Sequence, residues 1–308
     1  MDFFYWSVLI NTALDLIRYA TQYFSENSVY YGHGTDNPVD EAYALVIDVL
    51  GLSHDLTDRD LDLYFVDHPP MLLEKIHARV RRRLPVPYIT NKAWFCGLPF
   101  YVDERVLIPR SPIAELIETG FSPWIDPERV CDVLDLCTGS GCMAIACAYA
   151  FEQARIDASD LSRDALDVAR YNIQQHQVAD RVHLFEGDLF LAVPRHCYDI
   201  IVSNPPYVGA KELQDLPNEY THEPSLALAS GEFGLDIVDR MLKTAYHYLK
   251  DDGILVVEVG NTAKLMEEHY PRLPFVWLEF DRGGHGVFCI NKTGFNRCRL
   301  IPLVSYFD

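Results

Sequence analysis

The chain has 308 residues, 49% of them hydrophobic, which suits one large or two modest domains around a packed core and excludes wholesale disorder. Its formal charge of −19 disfavours a partner held through polyphosphate and favours a basic protein, although acidity also serves solubility. No apolar run approaches the ~18 residues of a membrane span.

The opening residues 1–6 carry an early acid and no basic flank, so no secretory signal is expected. Eight cysteines without any C-x-x-C spacing read as reduced thiols of a cytoplasmic protein, with no metal site expected. From about residue 3 to 85 the pattern is helical: Val8-Leu9, Ala13, Leu16-Ile17 and Ala20 recur at helical spacing, as do Ala42, Leu45-Val46 and Val49-Leu50. Pro38 with Asp40 and Glu41 predicts a helix start. The block 32–37 before it is either an ordinary capped loop or a clamp for a protein substrate. Arg79, Arg81, Arg82 and Arg83 are expected to end a helix as a solvated surface, a nucleic-acid patch being the sharper alternative. Pro85, Pro87 and Pro99 mark a connector, and the aromatic runs around Gly97 predict a hairpin.

From Ile113 onward strand and helix patterns alternate, which predicts a mainly parallel sheet covered on both faces. Strands are expected near 130–136, 155–160, 182–186, 199–203 and 254–259, with a closing hairpin near 276–280 and 286–290. Ser162 is expected to cap the helix carrying Ala165-Leu166, Val168-Ala169 and Ile173 on its inner face. The tail after Asn291 has no periodic pattern.

Three turns after these strands carry chemistry. Asp135-Leu136-Cys137-Thr138-Gly139-Ser140-Gly141 joins a strand to a helix, where glycines admit a close ligand and free N–H groups point at it. Asp160 closes the next strand about 20 residues on, where a ribose hydroxyl pair is held. Asp188 ends the third and is placed to accept from an adenine amine. Behind the apolar run 198–202 comes Ser203-Asn204-Pro205-Pro206-Tyr207. The prolines lack N–H groups, so the turn offers carbonyls; Asn204 adds a side-chain oxygen and Tyr207 a flat ring. That set suits a planar NH2 group, whether a carboxamide or the amine of adenine or cytosine. A plain strand-ending turn is the alternative for these residues alone.

Asp135 through Gly141, Asp160, Asp188 and Asn204 through Tyr207 resemble the S-adenosylmethionine site of the HemK-type glutamine-amide methyltransferases. The blocks 31–38, 91–97, 106–112, 216–220 and 229–231 resemble the bacterial branch that methylates a glutamine of ribosomal protein L-three. The resemblance runs from about Trp6 to Asn291, with two departures. Cys137 stands where most of these enzymes have the first glycine, and Arg110-Ser111-Pro112-Ile113 replaces the run typical of the release-factor branch.

The resemblance implies an α/β fold: a Rossmann-like class I methyltransferase domain on a mainly parallel seven-stranded sheet, with a small N-terminal helical domain and a connecting β-hairpin. The expected division is a helical substrate-recognition domain over 1–90, a hairpin linker over 91–112 and the transferase domain over 113–308. It implies S-adenosylmethionine held by Asp135, Cys137, Thr138, Gly139, Ser140, Gly141, Asp160, Asp188 and Asn204, and catalysis by Asn204, Pro205, Pro206 and Tyr207. L-three is the implied partner, with no membrane and no direct nucleic-acid substrate. The alternatives are the same chemistry on release factors, an amino-methyltransferase for DNA, and a non-catalytic ribosome-assembly module. Glu258 either faces the site or caps the following helix, and His33 and His222 read as loop polar groups.

Overall fold

The computed structural model describes residues 10–67 and 69–297. The helical reading of residues 3–9 and the tail from 298 lie outside the described residues.

Among the described residues there are nine strands. β1 (Ala93–Phe95) and β2 (Leu98–Phe100) form the expected hairpin, turning at Cys96 and Gly97, both with positive φ. β3 (Asp132–Leu136), β4 (Arg155–Asp160), β5 (Val182–Glu186), β6 (Tyr198–Ser203), β7 (Leu249–Glu258), β8 (Val276–Leu278) and β9 (Val287–Asn291) make one sheet in the order β5-β4-β3-β6-β7-β9-β8. The first five pair in parallel, and β9 runs antiparallel between β7 and β8. This is the Rossmann-like α/β fold. The chain winds outward from β3 to β5 and then returns to the other side of β3 with β6, so a crevice opens beyond the carboxyl ends of β3 and β6.

β7 starts at Leu249, earlier than its apolar run indicates. Lys250 explains the difference, because its amine bonds Asp132 at 2.6 Å and Asp199 at 2.8 Å on the neighbouring strands. Those charges resemble a loop in sequence and work as strand-end pairing in space.

Helix Arg163–Gln175 is capped by Ser162, whose hydroxyl accepts from Ala165 N at 3.2 Å, and it buries Ala165, Leu166, Val168, Ala169 and Ile173 as expected. Helix Ala13–Glu26 begins with a reciprocal Thr12–Asp15 box, and helix Pro38–Leu50 begins on Asn37, whose side chain accepts from Val39 N and Asp40 N. Their apolar faces share a core with helix Pro69–Arg81 that continues through Val102, Val106 and Ile108 to Ala165 and Val168.

The arginine run departs from its expected role. Arg81 and Arg82 are exposed, but Arg79 is only 1% exposed. Its Nε donates to Glu41, its Nη1 to Glu219 at 3.3 Å and its Nη2 to the Tyr30 carbonyl at 2.6 Å. Arg83 donates to the carbonyls of Ser28 and Asn27, both at 3.0 Å. Local charge density gives no sign of Glu219, which lies 140 positions away. Removing Arg79 takes the charged partner from buried Glu41 and leaves Glu219 to Arg83 at 3.5 Å, so Arg79→Ala is expected to cost about 3–5 kcal/mol. Urea denaturation followed by circular dichroism measures that loss.

Candidate active site

A cleft of about 1100 Å³, its open mouth included, lies over the carboxyl ends of β3, β4, β5 and β6. Cys137, Thr138, Gly139 and Ser140 line it from the turn after β3, Asp160 from the end of β4, Asp188 from the turn after β5, and Asn204 and Pro206 from the turn after β6. The linker supplies Pro109, Arg110 and Ser111 to another wall, and Pro224, Leu226, Ala227 and Ala229 close a third. Residues spread over more than a hundred positions therefore face one space.

Four expected site residues stand behind this wall. Asp135 is fully buried beneath the glycine turn, where Oδ2 accepts from Thr138 Oγ1 at 2.5 Å and from Ala144 N at 3.1 Å. Burial pushes its carboxyl up to about 7, against those two hydrogen bonds. Asp135 shapes the turn from below. Gly141 caps helix Cys142–Ala150 from behind the wall, with φ of 80°. Pro205 and Tyr207 also lie off the wall. The Tyr207 ring, expected as a stacking face, instead donates its hydroxyl to Glu258 Oε1 at 2.7 Å.

Cys137 sits at φ 59°, a left-handed conformation natural to glycine. Burial drives its thiol well above the ordinary range, and the charges of Asp160 and Asp135 push the same way. Asp160 is raised by desolvation, against N–H groups that donate to it from Ser162 and Gly139, both at 2.8 Å. Asp188 has one oxygen paired with Arg240. The hydroxyls of Ser140 and Ser159 are buried without a partner, and both residues line the cleft, so the site holds polar capacity a ligand can use.

Several functional positions escaped the sequence reading. Asn172 is buried and bridges Tyr101 N (2.8 Å), Tyr101 O (3.0 Å) and Ser140 O (2.9 Å), which fixes the linker to the glycine turn. Glu223 accepts from Ile108 N at 3.0 Å and takes both ends of the Arg110 guanidinium, at 2.6 and 2.8 Å. Burial works to raise the Glu223 carboxyl, yet the Arg110 charge and bonds from His33 and Arg110 hold it at about 2. His33 is a loop polar group as read, but a buried one: it is 5% exposed, its Nε2 lies 3.5 Å from Glu223, and its ring lies 4.6 Å from that of Tyr220. His222 fits its sequence reading, bonding the Arg82 carbonyl at 2.7 Å. Glu258 neither faces the cleft nor caps a helix; it joins Tyr207 to Ser111. No local pattern marks these acids, whose partners are more than fifty positions away.

A parallel sheet with this switch point, a glycine turn and an Asn-Pro-Pro-Tyr turn on one cleft define a Rossmann-like methyltransferase. The family of methyltransferase small domains matches residues 123–232. The chain is 45% identical over 283 residues to the ribosomal protein uL3 glutamine methyltransferase of Francisella tularensis subsp. tularensis, covering 91% of this chain and 90% of that one. It is also 45% identical over 291 residues to the protein of the same name from Burkholderia pseudomallei, covering 92% and 95%. Among solved structures, a methyltransferase from Pyrococcus furiosus is similar at 18% identity and a TM-score of 0.46, over 72% of this chain and 95% of that one. The chain belongs to the family of ribosomal protein uL3 glutamine methyltransferases.

Cys137 is expected to behave as an inert thiol with a glycine's backbone. In the folded protein at pH 8, iodoacetamide should label the exposed Cys131 and Cys197 and spare Cys137, as read by peptide mass spectrometry. Cys137→Gly should keep most of the activity, because glycine adopts that φ without strain.

Proposed function

We propose that this protein transfers a methyl group from S-adenosylmethionine to the side-chain amide nitrogen of a glutamine in ribosomal protein uL3 (L-three), in the cytoplasm. The observation that carries the reading is the placement of Asn204 and Pro206 on the same cleft as Cys137, Thr138, Gly139, Ser140, Asp160 and Asp188. An acceptor for an NH2 group then faces residues suited to an adenosine.

The residues present fit that cofactor. The Asp160 oxygens that accept from Gly139 and Ser162 keep lone-pair capacity for two ribose hydroxyls. The turn over 137–140 would hold the ribose and methionine portion, with the partnerless Ser140 and Ser159 hydroxyls as additional groups. The second oxygen of Asp188 would accept from the adenine amine, its other oxygen being anchored by Arg240. The bound cofactor supplies an electrophilic methyl on a sulfonium.

An amide nitrogen is a weak nucleophile because its lone pair is delocalised into the carbonyl. In this reading the Asn204 side-chain oxygen accepts from the amide N–H, which favours a more tetrahedral nitrogen with its lone pair free. Preorganised dipoles of this kind act where charge develops. The cleft walls align nitrogen and methyl. The methylated nitrogen is cationic and strongly acidic, so its proton passes to water. A charge of −19 favours encounter with a basic ribosomal protein and opposes a DNA substrate. The helices N-terminal to the linker hairpin, with the 32–37 loop, are assigned to recognition of that protein.

Two variants separate binding from chemistry. Asp160→Ala should weaken S-adenosylmethionine by about tenfold or more, since each hydrogen bond to a charged group contributes about 1.5–3 kcal/mol; titration calorimetry on the folded variant measures it. Asn204→Ala should lower kcat by about 10²–10³ with near-normal cofactor affinity. Single-turnover transfer of labelled methyl to uL3 reads that rate, with release factor and DNA as comparison substrates. Preferential labelling of either comparison substrate would overturn the assignment.

A further inference from the structure

Two hydroxyls from distant parts of the chain meet on one buried carboxylate. Ser111 Oγ donates to Glu258 Oε2 at 2.6 Å, and Tyr207 Oη donates to Glu258 Oε1 at 2.7 Å. Ser111 belongs to the linker, Glu258 ends β7, and Tyr207 lies three residues beyond Asn204. We propose that Glu258 is a positioning residue for methyl transfer: clasped between Ser111 and Tyr207, it fixes the turn that aims Asn204 into the cleft. The inference rests on the role given to Asn204 above.

The packing around Tyr207 leaves the ring one seat. A Cβ at Gly260 would lie 2.6 Å from Tyr207 Cε2, and a Cβ at Gly234 would lie 2.2 Å from the Tyr207 carbonyl oxygen. Both positions therefore require glycine for the backbone to approach the tyrosine so closely. The turn is closed from two sides by backbone, and the hydroxyl bond to Glu258 sets the ring's direction. Asn204 and Pro206 face the cleft from the other side of the same turn.

The choice of a carboxylate follows from its partners. Both are hydroxyls, and an ionised carboxylate accepts from both at once, whereas an amide accepts through one oxygen only. Burial raises the Glu258 pKa, against the hydrogen bonds from Ser111 and Tyr207 and the charge of Arg110. The neighbouring residue is anchored separately, because Arg110 is held by Glu223. The dipeptide Arg110-Ser111 is thus gripped by two acids from different segments. The linker, which enters from the helical part of the chain, thereby bears on the geometry at Asn204.

Ser111, Tyr207 and Glu258 are not among the residues assigned to the cofactor, so positioning and cofactor affinity separate experimentally. In the full-length protein, Tyr207→Phe and Glu258→Gln are each expected to lower kcat for uL3 roughly tenfold to hundredfold, the range a small misplacement produces. The Kd for S-adenosylmethionine should stay within about twofold. Because the two residues act through one bond, the double variant should be no slower than the slower single variant. Ser111→Ala should slow transfer, and Ser111→Thr, which keeps the hydroxyl, should restore it. Folded single variants with unchanged kcat, a double variant whose losses multiply, or a fall in cofactor affinity matching the fall in kcat would each overturn the proposal. Should Glu258→Gln fail to fold, Tyr207→Phe carries the test, since it deletes one oxygen only. A wild-type protein that methylates no uL3 would overturn the functional reading itself, whereas an active wild type with indifferent variants would overturn only the role of Glu258.

Discussion

Parallel pairing of β3 with both β4 and β6 is the constraint on which the site depends. Parallel strands end at the same edge, so the segments that follow them are neighbours whatever their separation in sequence. Asp135 pairs in register with Ala158 on one side and Val202 on the other. That register sets the glycine turn, Asp160 and Asn204 side by side. A slip of one residue would turn each of these side chains to the opposite face. The seven-stranded sheet is accordingly as much a part of the active site as the residues that line the cleft.

The parts of the molecule legible in sequence are those written in local pattern. β4 and β5 occupy the stretches their apolar runs define, and Ser162 caps the helix its spacing announces. The turns that line the cleft are legible because glycine, an acid at a fixed distance and a Pro-Pro pair have local chemical meaning. Tyr207 shows where that logic ends. Its residue type suggests a stacking face, whereas its hydroxyl bonds Glu258, more than fifty positions later. Arg79 was equally opaque: its three neighbours in the basic run are exposed or partly exposed, and only the approach of Glu41 and Glu219 distinguishes it.

The acidic excess divides into two populations with opposite uses. Most carboxylates are on the surface, where they set the field that a basic partner meets. Glu41, Glu219, Glu223 and Glu258 are buried, and each is tied to a donor from a different segment. Replacing such a pair with apolar residues need not cost stability, but breaking one side of it does. These contacts specify which segments dock on which, so they favour one arrangement of linker, helices and cleft over looser alternatives.

Arg79 also bears on how the protein is made. Its carboxylate neighbour Glu41 is synthesised before it, but Glu219 follows 140 residues later. At about 5–20 residues per second, the helices that emerge first from the ribosome pass several seconds or more with that guanidinium only half paired. Their core also lacks Ala165 and Val168 for the first part of that interval. The first-made part of the chain is therefore completed by contacts from its second half.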